Sequence, residues 1–105
     1  MNPAKVERNR VHRLTDLPNV GPVMAKDLAL IGIRSPGELA GQDPFRLYEA
    51  LCRKTGSRQD PCVLDVLISV TRFMDGDEPR RWWAYTEERK RRHGTALRAG
   101  TDRVG

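Results

Sequence analysis

Apolar residues in this chain recur at helical spacing and never in sustained alternation. Leu47, Tyr48, Leu51 and Cys52 fall on one face of a helix predicted over 44–55. The segment 61–74 is different, because Cys62, Val63, Leu64, Val66, Leu67, Ile68, Val70, Phe73 and Met74 cover most of its circumference. A helix that is apolar nearly all round has to be enclosed by others, so this one is the predicted centre of the core. Val20, Met24, Leu28 and Ile31 make an inward stripe along a helix at 22–31, and further helices are predicted over 8–17, 36–40 and 79–93. The expected fold is therefore all-α, a compact bundle of five to six short helices.

The breaks between these segments carry their own signals. Ser35-Pro36-Gly37-Glu38 reads as a capping box, in which Ser35 accepts from backbone donors and Glu38 reaches back. Asp43-Pro44 and Asp60-Pro61 each place a carboxylate at the N-cap and a proline at the first helical position. Gly32 and Gly56 stand where helices should stop, since glycine takes the left-handed conformation at little cost. Residues 74–78 read as an exposed connection, residues 1–95 as one domain, and 96–105 as a flexible tail without periodic pattern.

Composition narrows the picture. Hydrophobic residues make up 38% and charged residues 31% of 105 positions, which implies a small domain with a thin core and a highly charged surface. No apolar run approaches the roughly 18 residues of a membrane-spanning helix, and the N-terminus lacks the apolar stretch of a secretory signal. A cytoplasmic protein without membrane contact is the expectation. Cys52 and Cys62 are the only cysteines and lie in apolar segments, so they are expected as reduced thiols acting as small hydrophobes. Zinc would have to recruit His12 and His93 at a spacing that matches no zinc pattern, so neither metal nor cofactor is expected.

Net charge is +5, and its distribution matters more than its sum. Residues 1–16 carry four Lys/Arg against two acids, and residues 79–105 carry eight against three. Residues 17–78 carry seven against nine, a slightly acidic centre. A nucleic-acid surface would thus draw on the two basic ends.

The most informative stretch is "LPNVGPVMAKDLALIGI", residues 17–33. Leu17, Pro18, Asn19, Val20, Gly21, Ala25 and Leu28 fit a helix–hairpin–helix pattern. Pro18 halts the preceding helix, Asn19 tolerates a left-handed turn, and Val20 plugs the space between the helices. Gly21 lets a neighbouring backbone approach, and Pro22 opens the next helix without wasting a donor. Such a hairpin exposes backbone N–H groups at the positive end of a helix dipole, which suits a phosphate and reads no sequence. The residues expected to bind DNA phosphate are Asn19, Val20, Gly21, Met24, Lys26 and Arg34, with Arg13 in support. The same hairpin also serves simply to pack two helices or to meet another protein.

Beyond the hairpin, "ELAGQDPFRLYEALC", "QDPCVLDVLISVTRFM" and the double Trp follow one another in an order that resembles a small bacterial helix–hairpin–helix family. That family is named for a pathogenicity locus and often labelled a mitomycin-resistance protein. The resemblance covers roughly residues 14–86, and its "DPC" element and paired Trp are more distinctive than the hairpin. The first half is also similar to the C-terminal domain of competence-regulator proteins. The resemblance implies a compact helical domain linked to DNA repair or damage resistance, and it implies no catalytic residues.

Three function classes can be weighed on these residues. An enzyme needs a nucleophile or an acid–base pair in a pocket, and the best carboxylates, Asp60 and Asp65, have no such setting; the chain is expected to be non-enzymatic. Sequence-nonspecific binding of duplex DNA, through the hairpin backbone and the basic ends, is the leading expectation. The alternative is a protein-interaction or regulatory module that never touches DNA. Its candidate surface is Trp82 and Trp83, which are either a lid on the core or a stacking and partner-binding face.

Overall fold

A computed structural model describes residues 6–92, and among these there are four α-helices and no strand. The helices are α1 (Pro22–Leu30), α2 (Pro44–Thr55) and α3 (Pro61–Met74), followed by α4 at 86–92. Short 3₁₀ turns lie at Arg8–Arg10, Leu14–Asp16, Pro36–Leu39 and Trp82–Tyr85. The expected tail at 96–105, together with His93 and Lys5, lies outside the described residues. No helix among the described residues is long and apolar enough to cross a membrane.

α2 and α3 start and stop where their local signals put them. Asp43 and Asp60 accept hydrogen bonds from the Phe45 and Cys62 N–H groups, both at 2.9 Å. The bond from the Cys62 backbone holds the Asp60 carboxyl below its ordinary value, because it favours the ionised acceptor. Gly56 closes α2 at φ 71°, in the left-handed region that a Cβ disfavours. Between the two helices the Tyr48 hydroxyl donates to the Gln59 carbonyl at 2.5 Å, and the Gln59 N–H points at the Cys52 sulfur at 3.4 Å. Burial, reinforced by Cys52, pushes the Tyr48 hydroxyl up to about 12, so it stays a donor. Both cysteines are free, and burial raises the Cys62 thiol.

Three predicted elements take other forms. The span 8–17 is not one helix but two 3₁₀ turns with extended backbone at Val11 between them. The Asp16 carboxylate takes the His12 and Arg13 N–H groups at 3.1 and 2.8 Å, competing with a continuous helix for those donors. Pro36–Leu39 forms a 3₁₀ turn, and the expected capping box is not made. Ser35 makes no side-chain cap, and Glu38 reaches past it to the Arg34 N–H at 2.7 Å. The span 79–93 begins extended at Arg81, passes through the 3₁₀ turn, and is α-helical only from 86.

α3 is the core helix. Leu64, Leu67, Ile68, Val70 and Phe73 are all buried, and α3 packs against α2 and against the 3₁₀ turns at 36–39 and 82–85. α1 packs against α2 and the turn at Leu14–Asp16, with Leu28 buried and Met24 and Ile31 half-buried. α3 also buries three polar residues. Thr71 donates to the Leu67 carbonyl at 2.9 Å and Ser69 to the Val66 carbonyl at 2.7 Å, so each is satisfied within the helix.

Asp65 is satisfied from outside α3. Its fully buried carboxylate accepts from the Thr86 hydroxyl at 2.8 Å and from Arg89 Nε at 2.9 Å. Alongside it, Arg72 of α3 bonds Glu88, which also meets Arg92 at 3.3 Å. The sequence of α4 over these residues, "TEERKRR", contains no apolar side chain. This helix is held by ionic and hydrogen-bonding contacts, next to the buried Tyr85 that anchors the preceding turn.

Candidate nucleic-acid interface

The predicted residues converge at the start of α1. The chain leaves the turn at Leu14–Asp16 through the buried Leu17 and Pro18 and reverses at Asn19. Asn19 has φ 67°, the left-handed conformation that a short polar side chain tolerates better than most. Val20 is fully buried in the core. Gly21 is the N-cap of α1 at φ −98° and ψ −175°, ordinary extended backbone open to any residue. Its contribution is the missing side chain: no side chain caps the helix.

The donor inventory follows directly. Pro22 has no N–H, and the first helical bond runs from the Ala25 N–H to the Gly21 carbonyl at 3.0 Å. Among the described residues no acceptor engages the N–H groups of Asn19, Gly21, Val23 or Met24. The first turn of α1 contains no acidic residue, so the positive end of the dipole is not neutralised locally. Val20 is the exception among the predicted donors, because its N–H turns to the Leu17 carbonyl at 3.4 Å. Lys26 is exposed one turn into the helix, beside the half-buried Asp27.

Not every predicted residue joins this group. Arg34 is exposed beyond the C-terminal end of α1, separated from Gly21 by a helix roughly 13 Å long. It therefore serves no phosphate held at the N-terminus. Arg13 is paired with Asp16 at 3.7 Å. Part of the positive charge at the two ends is engaged within the fold. Arg8 donates to the Phe73 and Asp77 carbonyls and lies 4.1 Å above the Phe73 ring, closing the C-terminal end of α3. Arg10 pairs with Glu7 at 3.0 Å, and Arg89 and Arg92 are turned to Asp65 and Glu88.

A different pair of cations lies on a segment bonded to the hairpin turn. The Asn19 side-chain amide donates to the Arg80 carbonyl at 2.7 Å and to the Ser69 hydroxyl at 3.1 Å. The hairpin tip is thereby tied to the segment that carries Arg80, Arg81, Trp82 and Trp83. In the sequence, Arg80 and Arg81 had no visible link to a turn 61 residues away. Trp82 is half-buried, whereas Trp83 is 55% exposed, so the lid on the core is Tyr85 and not the Trp pair.

The family model for the Cdd1 pathogenicity-locus family matches residues 7–91. The chain belongs to that family. The match takes in the hairpin, all of α1, α2 and α3, and nearly all of α4, so the tie between Asn19 and Arg80 lies wholly within the Cdd1 region. Mitomycin resistance protein McrB of Streptomyces lavendulae is 41% identical over 92 residues, covering 88% of this chain and 85% of that protein. No solved structure matches this Cdd1 chain. Among its described residues no three His, Cys, Asp or Glu side chains gather as a metal site.

Proposed function

We propose that this protein is a non-enzymatic helix–hairpin–helix module that binds duplex DNA without sequence preference, one phosphate seated on the start of α1. The observation that carries this reading is the uncapped helix end, where the Gly21, Val23 and Met24 N–H groups have no acceptor and Lys26 stands one turn away. Such donors satisfy phosphate oxygens and carry no base information, so they position the duplex without specifying it. Arg80, and Lys90 and Arg91 on α4, add exposed positive charge. Both candidate carboxylates already have structural work: Asp60 caps α3, and Asp65 binds Arg89 and Thr86. That supports a role without catalysis. The process served is mitomycin resistance, as the name of the 41%-identical relative suggests.

Electrophoretic shift at low salt tests the reading. Wild-type protein should retard duplexes of unrelated sequence equally, and Gly21→Asp combined with Lys26→Glu should abolish the shift while circular dichroism stays unchanged. The second reading, a protein-interaction module with no DNA contact, has its observation in the exposed Trp83. A wild type that shifts no duplex at low salt overturns the duplex-binding reading, and loss of a nuclease-resistant protein partner on Trp83→Ala would support the second.

A further inference from the structure

Trp83 is exposed, yet it is not loose. Its ring meets Trp82 edge-to-face at 5.5 Å and 83°, and the Arg81 guanidinium sits 5.2 Å from its centroid. An aromatic ring braced on two sides presents a fixed stacking surface and has little rotamer freedom left to lose on binding. Three residues before it, the Arg80 carbonyl is bound by Asn19 at the hairpin tip. Three residues of chain span at most about 11 Å, a distance of one or two nucleotides. The Asn19 bond joins the segment to the hairpin turn that leads into α1, and the chain around it is basic: residues 79–92 carry six Lys/Arg against two Glu, with Arg80, Lys90 and Arg91 exposed and Arg89 and Arg92 engaged by Asp65 and Glu88.

We infer that the Arg80–Trp83 segment is a stacking platform for an unpaired DNA base beside the phosphate held by the hairpin. The favoured ligand is then duplex DNA interrupted by a short gap or ending in a single-stranded overhang. The physical reason lies in the base. Inside an intact duplex both faces of every base are covered by its neighbours, so Trp83 has nothing to stack on. At a gap or overhang one face is open, and an aromatic side chain takes it whatever the base. A cationic surround suits the phosphates that come with it. The inference rests on the hairpin reading above for its neighbouring phosphate.

The experiment uses the full chain and two DNAs of equal length, one intact and one with a gap of three nucleotides. Wild-type protein should bind the gapped DNA about tenfold more tightly. Trp83→Ala should bind both at the affinity that wild type shows for intact duplex, and Trp83→Phe should keep part of the preference. Trp83→Leu, apolar but not aromatic, should lose it. In a Trp82→Phe variant, where Trp83 is the sole tryptophan, gapped DNA should quench the fluorescence and intact duplex should not. Circular dichroism of each variant verifies that it is folded. Equal wild-type affinity for the two DNAs overturns the inference and leaves the hairpin reading standing. A Trp83→Ala loss that is equal on both DNAs also overturns it. No binding to either DNA overturns both readings, and points to a protein as the occupant of this surface.

Discussion

Asn19 concentrates the chemistry of the hairpin in one side chain. Its backbone takes the left-handed conformation at φ 67°, and its amide joins the turn to Arg80 and Ser69. Glycine at this position would meet the first demand more cheaply and fail the second, which is a physical reason for Asn here. Two substitutions separate the roles. Asn19→Gly removes the hydrogen bonds without strain and should cost about 1 kcal/mol in urea unfolding. Asn19→Ala removes the same bonds but keeps a Cβ in the left-handed region without the short polar side chain that eases it, and should cost about 2–3 kcal/mol. Equal losses for the two would show that the backbone conformation contributes nothing.

At the scale of elements, the contrast between α3 and α4 is the informative one. α3 is held by apolar burial on nearly every side, whereas α4 has no apolar residue and docks through Asp65, Arg72 and their partners. Asp65 is fully buried and the Arg89 side chain is 15% exposed, so removing either partner leaves a desolvated charge. Breaking such a pair costs on the order of 3–5 kcal/mol when the survivor stays buried. Arg89→Ala should instead release α4, because that exposes Asp65 to water at the cost of few other contacts. Hydrogen exchange should then show the amides of 86–92 unprotected while those of α2 and α3 keep their protection. Unchanged exchange over 86–92 would mean that Thr86 and the Arg72–Glu88 pair suffice to hold the helix. Sequence pattern could not have shown this arrangement. An acid within an apolar run and an arginine within a basic run each look ordinary until the fold sets them 2.9 Å apart.

For the molecule as a whole, net charge overstates the cations available to a polyanion. Arg8 closes α3 and Arg89 holds α4, whereas Arg10 and Arg13 are 80% exposed in local pairs, so the basic ends contribute to the fold as well as to the surface. Salt titration distinguishes the two kinds of arginine and lysine. Lys26→Ala should reduce the slope of log affinity against log salt by about one, the signature of a lost phosphate contact. Arg8→Ala should leave that slope unchanged and lower the unfolding midpoint. A reduced slope for Arg8→Ala would place it on the DNA.

Local chemistry is what the sequence by itself determined. Proline after aspartate set the starts of α2 and α3, Gly56 set the end of α2, and apolar coverage marked α3 as the centre, because each of these effects acts within a few residues. The turn at Asn19 was legible for the same reason. Tertiary structure alone decided that Arg8 closes α3, that Arg89 meets the buried Asp65, and that the Arg80 carbonyl is bonded to the hairpin turn. Those facts depend on pairings across 24 to 65 residues, and no short-range preference encodes a partner at that separation.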